Sequence, residues 1–286
     1  MNLDFIVRRA AIVKGIRSFF DAHGFLEVET PVRIDAPAPE CHIDCPPVAT
    51  GGFLRASPEL QMKKILASGL ERIYQIGPCF RDGEKGSRHN PEFTMIEWYR
   101  RDATYLDIAD DLEGLLRFLQ QSSCSSARRP LLKCSRMRVR DAYRDFAGWD
   151  PWTAWDQDRF DFDMATVVEP KLKEIGGGVF LMDYPVQASS LAVVTGDSAE
   201  RWEFYWDGME LANCFTELCD EAEQRRRFAE ARSARRALGE SDYPLDESFL
   251  SSLASIESAS GVALGVDRLV MVLCAASSIT QVRVGV

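Results

Sequence analysis

The run RWEFYWDGMELANCF (Arg201–Phe215) limits the fold more than any other stretch of the chain. Two aromatic, apolar segments flank Asp207-Gly208, and an Asp-Gly pair in that setting is the two-residue turn of an antiparallel hairpin. A turn of this length sets the register. Trp206 pairs with Met209 and Tyr205 with Glu210, which leaves Glu203 on the face of Glu210 and diagonal to it, Cβ atoms within ~7–8 Å. Two carboxylates so placed repel unless a cation lies between them. A hard divalent ion such as Mg²⁺, shared with substrate phosphates, fits the pair; two solvated glutamates remain the alternative. Glu217 follows Glu210 by seven residues, so strict alternation turns it to the opposite face. A bulge near Ala212–Cys214 is expected to bring it back.

The remaining chain adds strands with tight turns rather than strand–helix–strand crossovers. Apolar residues from Phe5 to Phe20 fall on one helical stripe that Gly24 ends. FLEVETPV reads as an edge strand or one that ends at Pro31, and a Pro-rich loop follows. Ser57 and Pro58 open a helix running to Gly69. LERIYQIGPCF, Phe93–Arg100 and GGGVFLMDYPV read as strands. Tyr105–Gln121, Glu221–Leu238 and a segment around Leu245–Ile256 read as helices, and Trp149–Asp163 as irregular structure. The closing residues ITQVRVGV read as a strand. Together these predict an α+β fold with a central, largely antiparallel sheet flanked by helices. No repeat or low-complexity linker divides the chain, so residues 1–286 are expected to form a single domain.

The chain has 286 residues, is 46% hydrophobic, and can bury a large core. A net charge of −10 disfavours a protein that wraps nucleic acid. The basic runs Ser125–Arg140 and Arg225–Arg236 read as solvated helix faces. Charges interrupt the N-terminus, and no apolar run is long enough for a bilayer, so a cytoplasmic protein with no membrane association is expected. The eight cysteines should then be reduced thiols, and CHIDC (Cys41–Cys45) lacks the second pair of a zinc site.

A second charged segment is FRDGEKGSRHNPEFTMIEWYR, Phe80–Arg100. If Phe93–Arg100 is a strand, then Phe93, Met95, Glu97 and Tyr99 share one face, either a polar pocket or a half-exposed sheet surface. Arg88 and His89 in the preceding loop are donors suited to phosphate oxygens. Near the C-terminus, the glycines of SGVALGVDR let backbone approach a ligand, and Arg268 at a helix start can meet a phosphate. Arginines from distant segments, a carboxylate pair and an aromatic face are the inventory of a nucleotide site. No phosphate-loop lysine, kinase signature or dinucleotide-binding glycine fingerprint is present.

These segments resemble, in order, the motifs of class II aminoacyl-tRNA synthetases in the lysyl form. GFLEVETPV is similar to motif 1, FRDGEKGSRHNPEFTMIEWY to motif 2, GMELANCFTEL to the lysyl-enzyme segment before motif 3, and GVALGVDRLVM to motif 3. Motif 1 begins about two dozen residues into the chain, leaving no room for the N-terminal anticodon-binding barrel. The resemblance is therefore to the truncated family of elongation factor P–lysine ligases. It implies a class II synthetase catalytic core, with ATP and Mg²⁺ as cofactors. It also implies activation of lysine or (R)-β-lysine as an adenylate, transfer to a lysine of elongation factor P, and a homodimer. A tRNA or small-molecule acceptor, or a non-catalytic paralogue, are the alternatives; the first is weakened by the missing barrel, the last by the presence of the phosphate-contacting residues.

By position, the resemblance assigns catalysis to Arg81 and Arg268. ATP falls to Arg81, Asp82, Gly83, His89, Asn90, Phe93, Glu210, Leu211, Gly265 and Arg268, and Mg²⁺ to Glu203 and Glu210. The amino acid falls to Ser57, Pro58, Glu59, Glu97, Tyr99, Asn213, Glu217 and Ala263. Three departures stand out. The acid of motif 2 is displaced around Gly83, Cys214 stands where lysyl enzymes have glycine, and Ala263 replaces a motif 3 glycine. The Ala263 methyl narrows the pocket near the α-carbon, which would favour an amino group at the β position.

Overall fold

The computed structural model describes residues 3–41, 43–122 and 132–283. In chain order the elements are α1 (Leu3–Ala22), β1 (Leu26–Glu27), β2 (Arg33–Ile34), β3 (Phe53–Leu54), α2 (Glu59–Ala67), β4 (Arg72–Phe80), β5 (Glu92–Arg101) and α3 (Tyr105–Gln121). Then come β6 (Cys134–Arg138), α4 (Val139–Ala142), α5 (Gln157–Asp163), α6 (Glu169–Ile175), β7 (Gly178–Pro185), β8 (Val194–Thr195), β9 (Ser198–Trp206) and β10 (Met209–Thr216). The last are α7 (Glu221–Leu238), α8 (Glu247–Ser252), β11 (Ala259–Gly265), α9 (Val266–Cys274) and α10 (Ile279–Val282).

Among the described residues, one nine-stranded sheet runs β1-β4-β5-β11-β10-β9-β7-β6, with β8 paired to β9. Its ladders are antiparallel except β1 with β4 and β6 with β7. The short β1 lies at the edge, where Pro31 was expected to confine it. One sheet face packs under α1, α3 and α9. Their apolar stripes meet Tyr74, Ile96, Trp98, Trp202, Phe204, Cys214 and Val262 in a core where nearly all of these side chains exclude solvent. The stripe of α1 buries Ile12, Ile16, Phe19 and Phe20, and the chain then turns at Gly24 with φ +73°. The N-terminus of α3 is closed by a reciprocal pair of bonds between Thr104 and Asp107.

Several sequence expectations are corrected. Trp149–Asp163 is not irregular throughout: Asp156 caps α5, and helical turns continue from Met164 to Val168. The described part of ITQVRVGV holds helix α10 rather than a strand, because Ser278 and Gln281 cap it reciprocally. Helix α2 begins one residue later than expected, after Pro58, although the Ser57 hydroxyl still accepts from the Glu59 N–H at 2.9 Å. Of the basic runs, 125–131 lies outside the described residues, and the described remainder of that run is not a helix face: it forms strand β6, paired with β7, and the start of α4. The other forms α7, whose Arg226 pairs with Glu223 and Glu230 on an exposed face. His42 of CHIDC also lies outside the described residues.

Candidate active site

The sheet face turned away from α1, α3 and α9 carries a cavity of about 310 Å³ over β5, β11 and β10. Phe93, Met95, Glu97 and Tyr99 line it, whereas Ile96 and Trp98 go to the helical core. The alternation along β5 is therefore realised, and the polar-pocket reading holds over the exposed-sheet one.

The Asp207-Gly208 turn has both residues at positive φ, +49° and +72°, and pairs Trp206 with Met209 and Tyr205 with Glu210, as the sequence requires. The expected bulge exists, displaced toward the turn. It falls at Leu211, so that Ala212 pairs with Phe204 and Asn213 with Glu203. The extra residue reverses the alternation. Glu210, Asn213, Phe215 and Glu217 all line the cavity, while Cys214 points into the core and is fully buried. Cys214, where lysyl enzymes have glycine, thus does not touch the site.

The bulge also shifts Glu203. It stands opposite Asn213, farther along from Glu210 than an unbroken ladder would place it, and it is not part of the cavity wall. Arg201 binds one of its oxygens at 2.5 Å and the Tyr205 hydroxyl donates to the other at 2.6 Å. Burial, and next the charge of Glu203, raise the proton affinity of Glu210, so the two carboxylates still feel one another. Glu169, from the segment between β6 and β7, joins them. Burial and the charges of Glu210 and Glu203 push it up to about 7. Sequence reasoning had no signal for Glu169, since only tertiary packing brings α6 there.

At one end of the cavity, Glu97 is almost completely buried. Ser57 donates to one of its oxygens at 2.6 Å and Tyr99 to the other at 2.9 Å. Burial, then the charge of Glu59, push its carboxyl up to about 7 against those two hydrogen bonds. Lys63 is the residue the sequence reading missed. Its ammonium, 2% exposed, lies 2.6 Å from Glu59 and 2.5 Å from Glu217. Burial opposes its charge, but Glu217 and Glu59 outweigh burial and hold it protonated. Burial raises Glu217 in turn, beyond what Lys63 offsets. A Glu four residues before a Lys reads in sequence as an ordinary surface helix pair. Here the pair is inside. Gly261 lets the Tyr99 ring lie against the backbone of β11, because a Cβ there would overlap that ring.

At the other end stand Arg81, Glu84, Arg88, His89, Asn90, Gly265 and Arg268. Arg81 lies over the Phe93 ring, 5.2 Å from its centroid, and 3.5 Å from Glu84. Asp82 and Gly83 are exposed turn residues outside the cavity wall, with Gly83 at φ +76°. Glu84 is the acid of this segment that faces the cavity. Arg268 donates to the Glu210 carbonyl at 2.9 Å and meets His89 Nε2 at 2.5 Å. Burial and the Arg268 charge lower the affinity of His89 for a proton, which favours the neutral ring as acceptor. Leu211 lines the wall through the bulge, and Ala263 sits between Glu97 and Asn213 in the ladder. Of the sequence-derived site residues, Asp82, Gly83, Pro58 and Glu203 lie outside the wall; Glu40, Ile43 and Arg201 join it without having been expected.

Residues 2–284 match the family described as tRNA synthetases class II (D, K and N). The chain belongs to this class, and its antiparallel sheet with a polar cavity on one face is that class's catalytic core. Among curated relatives, the elongation factor P–(R)-β-lysine ligase of Actinobacillus succinogenes is 36% identical over 95% of this chain and 91% of its own. Those of Proteus mirabilis and Yersinia enterocolitica are 34% and 36% identical, each over 97% of this chain and 93% of the relative. The chain is a member of this ligase family, and it is an enzyme.

Proposed function

We propose that the protein uses ATP to activate (R)-β-lysine, or lysine, as an aminoacyl-adenylate and transfers the acyl group to a lysine ε-amine of elongation factor P. The observation that carries the substrate is the charge of the Glu97 end. The buried Glu97 and Glu217 and the partly buried Glu59 gather at one end around a single ammonium, Lys63, which pairs with Glu59 and Glu217. That end holds more carboxylates than cations, and with Glu97 pushed up to about 7 and Glu217 to about 8 it takes up ammonium groups, of which a diamino acid brings two. Relatives over nearly the whole chain that are ligases for (R)-β-lysine support the same reading.

Arg81 and Arg268 hold the α-phosphate and the outer phosphates, and the substrate carboxylate attacks the α-phosphorus with pyrophosphate leaving. Catalysis rests on positioning and on charge stabilisation by the two arginines. Phe93 offers a ring for adenine, and Glu84 in place of Asp82 is the acid near it. Mg²⁺ fits Glu210 with Glu203 behind it, since the Glu203 charge that raises the proton affinity of Glu210 also attracts a cation, and each bonded Glu203 oxygen keeps a lone pair. When bound, the ion neutralises phosphate charge. The chain works as a single catalytic domain and as a homodimer. Leu3, Val7 and Leu26 are more than half exposed on α1 and the unpaired side of edge strand β1, next to the motif 1 segment, which supports a partner surface there. No helix among the described residues is long and apolar enough to cross a membrane, in keeping with a cytoplasmic site of action.

The test is to incubate the protein with ATP, Mg²⁺, elongation factor P and either (R)-β-lysine or α-lysine, and to weigh the factor. A mass increase of one lysyl residue is expected. No increase with either amino acid, or charging of bulk tRNA instead, would overturn the reading.

A further inference from the structure

Transfer to an amine needs a base, and among the described carboxylates that line the cavity one is not already committed. Lys63 holds Glu59 and Glu217, Ser57 and Tyr99 hold Glu97, and Arg268 holds Glu210. Arg81 lies beside Glu84, and Arg9 and Arg283 hold Asp267. Glu40 lines the same cavity, and its carboxylate has no hydrogen-bond or ion-pair partner among the described residues. Its backbone, by contrast, is pinned. The Glu40 N–H donates to the Ala38 carbonyl at 2.9 Å, and the fully buried Arg235 of α7 donates to the Glu40 carbonyl at 2.6 Å. Pro37 and Pro39 stiffen the approach. Glu40 also lines a smaller recess walled by Ile34, Pro37, Ala38 and Leu60. A carboxylate on a fixed backbone, with free lone pairs, at the edge of a reaction cavity is the arrangement a proton acceptor requires.

We propose that Glu40 accepts the proton that the acceptor lysine's ε-ammonium must lose before it attacks the adenylate. The inference rests on the function proposed above. An alkylammonium is protonated at neutral pH and has no lone pair for attack. Glu40 takes one proton. The freed amine nitrogen forms a C–N bond to the carbonyl carbon, and the C–O bond to the phosphate breaks, with AMP leaving as the phosphate dianion and the electron pair. The second nitrogen proton departs to solvent as the amide forms. The groups that tune Glu40 suit this role. Burial and then Glu59 raise its proton affinity, and Arg81, Arg201 and Lys63 moderate the rise, so that the carboxylate is a stronger base than one in water.

The test separates the two half-reactions in Glu40→Gln. Transfer from preformed adenylate to elongation factor P, followed by rapid quench, is expected to fall by roughly 10²–10⁴-fold, and ATP–pyrophosphate exchange with (R)-β-lysine at least about tenfold less than that. Hydroxylamine, a nucleophile already neutral at neutral pH, should restore acyl capture in Glu40→Gln to the level its exchange rate allows. Glu40→Asp should keep part of the transfer rate, and this guards against a folding defect. Equal losses in exchange and transfer, or no loss in transfer, would overturn the role of Glu40. If the unsubstituted protein shows no exchange with either lysine, the substrate reading fails first and the inference with it.

Discussion

Glu97 binds cations only after it has lost its proton, and burial delays that loss until about pH 7. Because the proton affinity is raised in the free site, a substrate ammonium must displace the proton. Affinity for a diamino acid therefore rises with pH, by up to about tenfold per pH unit for each such carboxylate below 7, and levels off only above about 8, where Glu217 has also lost its proton. Calorimetry in two buffers of different ionisation heat should show proton release near pH 6.5; a pH-independent affinity would remove Glu97 from the ammonium site. Ala263 lies between Glu97 and Asn213 in the ladder. Replacing it with glycine removes a methyl from the cavity wall and should raise use of α-lysine relative to (R)-β-lysine, measured as the ratio of kcat/KM values. Gly261→Ala acts in the opposite direction. Its Cβ would overlap the Tyr99 ring and lie 2.9 Å from a Glu217 oxygen. An overpacking cost of about 1–3 kcal/mol should appear as a roughly 10–100-fold rise in KM for the amino acid. Lys63 shows why the sequence under-read this end of the site. A lysine on a helix four residues after a glutamate has the same spacing inside a protein as on its surface.

At the scale of elements, the β9–β10 hairpin carries the most information per residue. Its turn and first pairs follow from Asp207-Gly208, and the need for a bulge follows from the seven-residue step from Glu210 to Glu217. The position of the bulge does not. Leu211 takes it because Cys214 must reach the core under α3 and α9 while Asn213, Phe215 and Glu217 reach the cavity. Deleting Leu211 should restore an even ladder in which Ala212 still pairs with Phe204 and Asn213 with Glu203, so that Asn213, Phe215 and Glu217 stay on the cavity face and pyrophosphate exchange persists. Loss of exchange in a variant that unfolds like the parent would show that Leu211 itself is needed on the cavity wall. The displaced acid of motif 2 resolves in the same way. Gly83 takes the left-handed turn, and the chain beyond it brings Glu84 rather than Asp82 to the wall.

Over the whole molecule, Asp267 joins both ends of the chain to the site. Arg9 of α1 bonds it at 2.5 Å, Arg283 bonds it at 3.2 Å, and it accepts the Thr94 N–H of β5 at 2.8 Å. It directly precedes Arg268, so the same contacts orient the end of α9 that carries Arg268 to the cavity wall. Asp267 is nearly fully buried, and removing both arginines strands its charge. The double variant Arg9→Ala, Arg283→Ala should lose about 3–5 kcal/mol in denaturant unfolding, and adding Asp267→Asn should recover part of that loss. No recovery would mean that the arginines act by packing alone.

The chain's own pattern determined the α+β class, the antiparallel hairpins, the face of β5 that carries Phe93, Glu97 and Tyr99, and the family. All of these depend on local period, turn chemistry or motif order. Tertiary structure decided which charges meet. The pairing of Lys63 with Glu217, the shift of Glu203 to a place opposite Asn213, the arrival of Glu169, and the placing on the cavity wall of a Glu40 carboxylate with no partner among the described residues each join segments tens of residues or more apart in sequence or turn on one bulge. Electrostatic energy depends on distance and burial in three dimensions, and neither is encoded in the spacing of residues along the chain.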